Sequence, residues 1–229
     1  MARFKLIIFD LDDVLYSEID YVKSGFKAVA SNISANKHIQ KKLFFIMMEL
    51  FNKDPKHVFD NLIKIYDLDI DLKIHTKDNL IKTYHEHLPK IKLNSKVLTL
   101  LKKIKNENIF MTILSDGRKN SQELKIKSLG LENIMNKIIL TDSLGPRKKF
   151  WKPNTYGFKL LLDHFKVEAN QACYIGDNLN KDFIAPEKLG MVTILFQNKN
   201  GLYNLKNQNE NHCTFIVNSI SELKNLLFN

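Results

Sequence analysis

The pattern of apolar and polar positions opens with a near-continuous apolar run over residues 4–9. A run without regular alternation is typical of a strand buried on both faces of a parallel sheet. It ends in three acids within four positions, Asp10, Asp12 and Asp13. Carboxylates inside a buried strand are unfavourable unless they are paired or bind a metal. The pattern therefore places Asp10 at the carboxyl end of the first strand.

Apolar positions then recur at helical spacing from Ser17 to about Leu88, with no strand between them. Asp54 followed by Pro55 predicts an N-cap with proline at the first helical position, and Thr76 is a second candidate cap. These signals predict an all-helical domain inserted directly after the first strand, with bounds at residues 17–92.

Short apolar runs alternate with helical segments over the rest of the chain, which predicts right-handed crossovers and a mainly parallel sheet. The expected architecture is α/β, with the sheet core formed by residues 1–16 and 93–229. A polar segment, 197–212, is expected to be a loop. The later strands are expected at residues 109–114, 138–140, 172–175, 192–196 and 215–217.

Composition fits a globular protein, with 229 residues, 44% of them hydrophobic and 26% charged. No signal-peptide pattern is found, and no apolar run approaches the roughly 20 residues needed to span a bilayer. The two cysteines, Cys173 and Cys213, form no metal-binding or redox pattern. We therefore expect a cytoplasmic protein without a membrane partner.

The net charge is +10. A basic chain can bind nucleic acid, but here the lysines are scattered and no nucleic-acid-binding motif is found. The charge suits attraction of a small anionic substrate. Composition leaves the oligomeric state open.

Three predicted strands end in polar clusters: Asp10 with Asp12, Ser115 with Asp116, and Asp177. The carboxyl ends of parallel strands lie along one edge of a sheet, so these clusters are expected to converge. Asp10 and Asp177 would supply hard oxygen ligands, which suit Mg²⁺ rather than zinc.

Such a site has the parts for phosphoryl transfer. Asp10 can act as nucleophile and form an aspartyl-phosphate, while Asp12 protonates the leaving oxygen and later activates water. Ser115 offers a hydroxyl and neighbouring backbone N–H groups to a phosphoryl oxygen, and Lys152 offers a positive charge. Each residue also has an ordinary explanation, since Ser115 can end a strand and Asp182 can cap a helix. Taken together, the three clusters at strand ends and Lys152 as a fourth element favour a site.

The clusters resemble, in order, the four signature motifs of the haloacid dehalogenase-like hydrolase superfamily. The resemblance covers the whole chain and is most specific at the first and last motifs. It implies a Rossmann-like core, and the helical insert resembles the cap domain of the first cap class. The matching residues are 10–15 (DLDDVL), 115–117 (SDG), 152–153 (KP) and 176–182 (GDNLNKD).

The resemblance implies catalytic roles for four residues. Asp10 matches the nucleophile and Asp12 the general acid/base. Ser115, with Asp116 and Gly117 after it, matches the phosphate-binding segment. Lys152 matches the lysine that neutralises charge and binds substrate.

The resemblance also implies a Mg²⁺ site. Asp10 and Asp177 match metal-binding acids, and Asp12 matches the residue that offers its backbone carbonyl to the metal. Asp182 matches the second acid of the last motif, which often lies in the outer coordination sphere.

The leading hypothesis is a Mg²⁺-dependent phosphomonoester hydrolase acting on a small phosphorylated metabolite. A sugar-phosphate mutase would carry the same motifs, although Asp13, where mutase-like members often have glycine, favours a phosphatase. A 2-haloacid dehalogenase fits less well, because those members need no metal and lack an acid equivalent to Asp12. A non-catalytic protein associated with nucleic acid is suggested by charge alone.

Overall fold

The computed structural model describes residues 3–66, 76–198, 201–202 and 213–228. The predicted loop at 197–212 falls largely outside them. The strands are β1 (Leu6–Phe9), β2 (Phe110–Ser115), β3 (Lys137–Leu140), β4 (Ala172–Gly176), β5 (Val192–Phe196) and β6 (Phe215–Val217). The α-helices are α1 (Glu18–Ile33), α2 (Lys37–Lys53), α3 (Val58–Tyr66), α4 (Lys77–Glu86), α5 (Ser95–Asn106), α6 (Lys119–Ser128), α7 (Tyr156–Phe165), α8 (Ile184–Lys188) and α9 (Ile220–Phe228).

The strands form one parallel sheet in the order β3-β2-β1-β4-β5-β6. The first strand lies near the centre, with Leu6 opposite both Phe110 and Ala172. All four residues of β1 are buried, as its unbroken apolar run predicts. The predicted Rossmann-like α/β class with a mainly parallel sheet is confirmed.

The chain divides into two compact units, Met1–Ile19 with Lys92–Asn229, and Asp20–Ile91. The first contains the sheet. Its core packs the β1 side chains Leu6 and Ile8 against Phe158 of α7 and Tyr174 of β4. This packing holds β1 and β4 side by side, so the residues that follow the two strands emerge together.

The second unit is helical and has an aromatic core. The Phe26 ring lies 5.9 Å from the Phe51 ring and 5.7 Å from the Tyr84 ring, centroid to centroid. Tyr84 packs directly over Gly25, where a Cβ would come within 2.5 Å of the ring. Phe26 is buried and belongs to the core of this unit.

One predicted helix start is wrong. Asp54 and Pro55 were expected to begin a helix, but α3 starts at Val58. The Asp54 N–H instead donates to the Leu50 carbonyl and ends α2, while the Asp54 carboxylate accepts from the Lys56 N–H. The aspartate is therefore used in the turn that separates the two helices. Thr76, by contrast, is the N-cap of α4, as predicted.

Among the described residues no helix is both long enough and apolar enough to cross a bilayer.

Candidate active site

Asp10 follows the last residue of β1, and hydrogen bonds fix both its backbone and its side chain. Its N–H donates to the Ile175 carbonyl at 2.8 Å, and its Oδ1 accepts from the Leu11 N–H at 2.8 Å. Only 4% of the residue is exposed. Burial raises the pKa of Asp10 to about 6, and Lys152 only partly offsets this effect.

Lys152 is the buried cation of the site. Its Nζ lies 2.9 Å from Asp10 Oδ2 and 2.8 Å from Asp182 Oδ1, and it donates to the Tyr174 hydroxyl at 2.7 Å. Burial alone would lower the pKa of Lys152, but the charges of Asp10 and Asp182 raise it well above its ordinary value. The lysine is therefore charged and compensates two acids at once. Its peptide bond to Pro153 is cis.

The loop between β4 and α8 supplies two more acids. Asp182 Oδ2 accepts from the N–H groups of Asp177 at 3.2 Å and Asn178 at 3.0 Å, which closes the loop on itself. Gly176 makes this closure possible, because a Cβ there would lie 2.6 Å from Asp182 Oδ2. Burial, followed by the charges of Asp10 and Asp182, raises the pKa of Asp177 to about 9.

Asp10, Asp177 and Asp182 each offer a carboxylate oxygen, and these oxygens lie within 4.8 Å of one another. The raised pKa values of Asp10 and Asp177 show that their charged forms lack full compensation. A set of hard carboxylate oxygens that need positive charge fits a divalent cation such as Mg²⁺.

Asp12 lies in different surroundings. Its Oδ1 accepts from Lys125 Nζ at 2.7 Å and from the Tyr16 hydroxyl, and its Oδ2 accepts from Gln122 Nε2 at 2.9 Å. Burial alone would raise the pKa of Asp12, but Lys125, Gln122 and Tyr16 together lower it below the ordinary value. These three partners thus hold the Asp12 carboxylate in a fixed orientation.

Gln122 connects Asp12 to the segment after β2. Its Nε2 lies 3.0 Å from Ser115 Oγ and 2.6 Å from the Asp116 carbonyl. Gly117 has a positive φ of 126°, and a Cβ there would lie 2.9 Å from Gln122 Nε2. Glycine is therefore needed at this turn both for its backbone conformation and for space.

Asp116, predicted to bind substrate, has its carboxylate engaged within the protein. Its Oδ1 accepts from the Thr141 hydroxyl at 2.7 Å and from the Lys152 N–H at 3.1 Å. Its Oδ2 lies 3.4 Å from Lys181 Nζ. The side chain thereby links the segment after β2 to both lysines.

Sequence reasoning missed Gln122, Lys125, Tyr174 and Lys181. Gln122 and Lys125 lie one turn apart on α6, and both are buried. The sequence indicates them only weakly: they are polar side chains at positions of the buried face of a helix, where apolar side chains are expected. Tyr174 sits in an apolar strand, where nothing in the sequence distinguishes it from an ordinary core residue.

The comparisons with known proteins agree with this geometry. A family model described as haloacid dehalogenase-like hydrolase matches residues 7–196. The glyceraldehyde 3-phosphate phosphatase of Methanocaldococcus jannaschii is 28% identical over 98% of this chain and 97% of its own length. The enzyme of the same name from Pyrococcus furiosus is 27% identical over 99% and 94%.

Solved structures share the fold. YfnB from Bacillus subtilis, described as a HAD-hydrolase and solved with bound magnesium, aligns with a TM-score of 0.68 and 18% identity over 98% of this chain and 99% of its own. A HAD phosphatase from Thermococcus onnurineus aligns with a TM-score of 0.61 and 20% identity over 98% of each chain.

Proposed function

Because the chain belongs to the haloacid dehalogenase-like hydrolase family, we propose that it is a Mg²⁺-dependent phosphomonoester hydrolase. The observation that carries the proposal is the meeting of three carboxylates, Asp10, Asp177 and Asp182, beside the buried ammonium of Lys152. Carboxylates that converge beside a buried lysine can bind a metal ion, and the metal ion and the lysine together can bind a phosphate group.

The proposed substrate is a small phosphorylated metabolite. Two relatives that align along nearly the whole chain carry the name glyceraldehyde 3-phosphate phosphatase. A triose phosphate is therefore the first substrate to test.

In the proposed reaction the Asp10 carboxylate attacks phosphorus, and the ester P–O bond breaks as an aspartyl-phosphate forms. The leaving oxygen takes a proton from Asp12. Water then attacks the phosphoryl group, its proton passes to Asp12, and Asp10 is released together with inorganic phosphate. A nucleophile with a pKa of about 6 is mostly ionised at neutral pH, as this step requires.

Asp10, Asp177 and the backbone carbonyl of Asp12 would hold Mg²⁺, and Asp182 would orient the loop that carries Asp177. When bound, the cation supplies positive charge that offsets repulsion between the nucleophilic carboxylate and the dianionic substrate.

The segment Ser115, Asp116 and Gly117 would bind the phosphoryl oxygens. Ser115 Oγ accepts from Gln122 at 3.0 Å and donates to the Asp116 carbonyl at 3.4 Å, a long contact that the hydroxyl would exchange for one to a phosphoryl oxygen. Lys152 would neutralise the charge that builds up on Asp10 and the phosphoryl group. Residues 17–92 would serve as a cap that excludes water and selects the substrate.

The test is a panel of phosphorylated metabolites that includes glyceraldehyde 3-phosphate and p-nitrophenyl phosphate, assayed for phosphate release with and without Mg²⁺. We expect release that EDTA abolishes and Mg²⁺ restores. Isomerisation of a sugar 1-phosphate with a trace of bisphosphate and no free phosphate would identify a mutase. Activity on a 2-haloacid that persists in EDTA would identify a dehalogenase.

A further inference from the structure

The ammonium group of Lys152 has no donor left for a substrate. It carries three N–H bonds, and three protein acceptors lie within 2.9 Å: Asp10 Oδ2, Asp182 Oδ1 and the Tyr174 hydroxyl. Its side chain has no exposed surface. Lys152 can therefore compensate charge at the site, but a direct hydrogen bond to a phosphoryl oxygen would require one of these contacts to break.

Lys125, a second buried lysine of the site, is also engaged. Its Nζ lies 2.7 Å from Asp12 Oδ1, and its side chain is 6% exposed. This contact directs the charge of Lys125 toward the general acid/base rather than toward the segment that begins at Ser115.

Lys181 differs from both of these lysines. Its side chain is 32% exposed, and its Nζ lies 3.4 Å from Asp116 Oδ2, a long contact that uses at most one of three N–H donors. Two contacts fix its backbone, because the N–H groups of Lys181 and Asp182 both donate to the Asn178 carbonyl, at 3.2 and 2.9 Å. An accessible ammonium is thus held beside the residue that follows Ser115.

We propose that Lys181 is a substrate-binding residue that donates directly to a phosphoryl oxygen on the Ser115–Asp116 side of the site. In this arrangement Lys152 compensates Asp10 and Asp182, and Lys181 contacts the substrate. The inference rests on the proposed phosphatase function and adds a role for Lys181, which lies within the fourth motif but has no role implied by the resemblance.

The test compares Lys181→Met and Lys181→Arg with Lys188→Met, which removes the same charge from an exposed position on α8. With saturating Mg²⁺, we expect Lys181→Met to raise both the KM for p-nitrophenyl phosphate and the inhibition constant of inorganic phosphate by about tenfold. Lys181→Arg should recover part of the loss, and Lys188→Met should match the wild type. The melting temperature should stay unchanged, since the partly exposed side chain of Lys181 contacts Asp116 only at a long distance. Saturating Mg²⁺ is needed in this comparison because the charge of Lys181 also acts on Asp10 and Asp182.

A KM and an inhibition constant within about twofold of those of Lys188→Met would overturn the assignment. If the wild type hydrolyses no phosphomonoester, the proposed function fails instead. The Lys181 contact is then still decided by calorimetric titration of inorganic phosphate into the wild type and Lys181→Met in the presence of Mg²⁺. Weaker binding to the variant supports the contact, and equal binding overturns it.

Discussion

Asp10 and Asp12 are two residues apart on one loop, yet their surroundings shift their pKa values in opposite directions. Asp10 shares a single ammonium with Asp182, and burial raises its pKa to about 6. Asp12 has Lys125 close by and also accepts from Gln122, and its pKa is lowered despite burial. Neighbouring side chains, rather than residue type, therefore decide which carboxylate is poorly compensated.

The different surroundings of Asp10 and Asp12 suit their different proposed roles. A carboxylate short of positive charge is ready for a cation and an electrophile, whereas one held by fixed donors keeps its orientation while a proton comes and goes. Substitutions at Asp10 and Lys125, followed by changes of pH and Mg²⁺, test this contrast in descending order of expected effect.

Asp10→Asn should reduce turnover by a factor of about 10⁴ or more, because an amide is a poor nucleophile. The fold should survive, since the amide oxygen can still accept from Lys152 and the variant removes a carboxylate that burial disfavours. Hydrolysis of p-nitrophenyl phosphate and the melting temperature measure the two effects. The control is Asp163→Asn, an exposed position on α7. Near-normal hydrolysis by Asp10→Asn would remove Asp10 from its proposed role.

Lys125→Met should lower kcat by about tenfold with a smaller change in KM, because Asp12 loses a charged hydrogen-bond partner. The pKa of Asp12 should rise, so the limb of the rate profile that reports its ionisation should move to higher pH. Lys127→Met, exposed on the same helix, is the matched control. Identical pH profiles for the two variants would show that Lys125 does not set the state of Asp12.

The pH dependence of stability should show the smallest effect. Asp10 and Asp177 have folded-state pKa values raised from an ordinary 3.8 to about 6 and about 9. The folded state therefore binds more protons than the unfolded state in this window, and stability without metal should fall as pH rises from about 5 to 9. We expect the melting temperature to drop by about 3 °C or more.

Added Mg²⁺ should reverse that drop, and it should raise the melting temperature more at pH 8.5 than at pH 5.5, because binding requires both acids to lose their protons. Asp177→Asn should flatten the pH dependence and weaken the response to Mg²⁺. A Mg²⁺ midpoint that is unaltered in this variant would contradict the assignment of Asp177 as a ligand.

Much of the fold could be predicted from sequence because its strands are buried on both faces and so appear as apolar runs. Local signals were less secure where one residue has two possible uses. Asp54 looks like a helix start, but its N–H ends the preceding helix. The domain bounds and the cap role of the helical segment stay predictions.

The convergence of Asp10 and Asp177 could be predicted because it needs only the rule that parallel strands share a carboxyl edge. The contacts of Asp12 with Gln122 and Lys125 could not be, since they depend on how α6 is rotated against a loop far away in the chain. The difference between the pKa shifts of Asp10 and Asp12 depends on those contacts, so it could not be predicted from the sequence either.

The position of β1 in the sheet has a consequence for biosynthesis. Leu6 leaves the ribosome before its neighbours Phe110 and Ala172, which are made only after the whole helical unit. The nascent chain thus carries an apolar strand with both edges open, a state prone to aggregation. Because closing such long loops is entropically costly and slow, we expect β1 to pair late in folding and Asp10, which follows it, to reach its final position late as well.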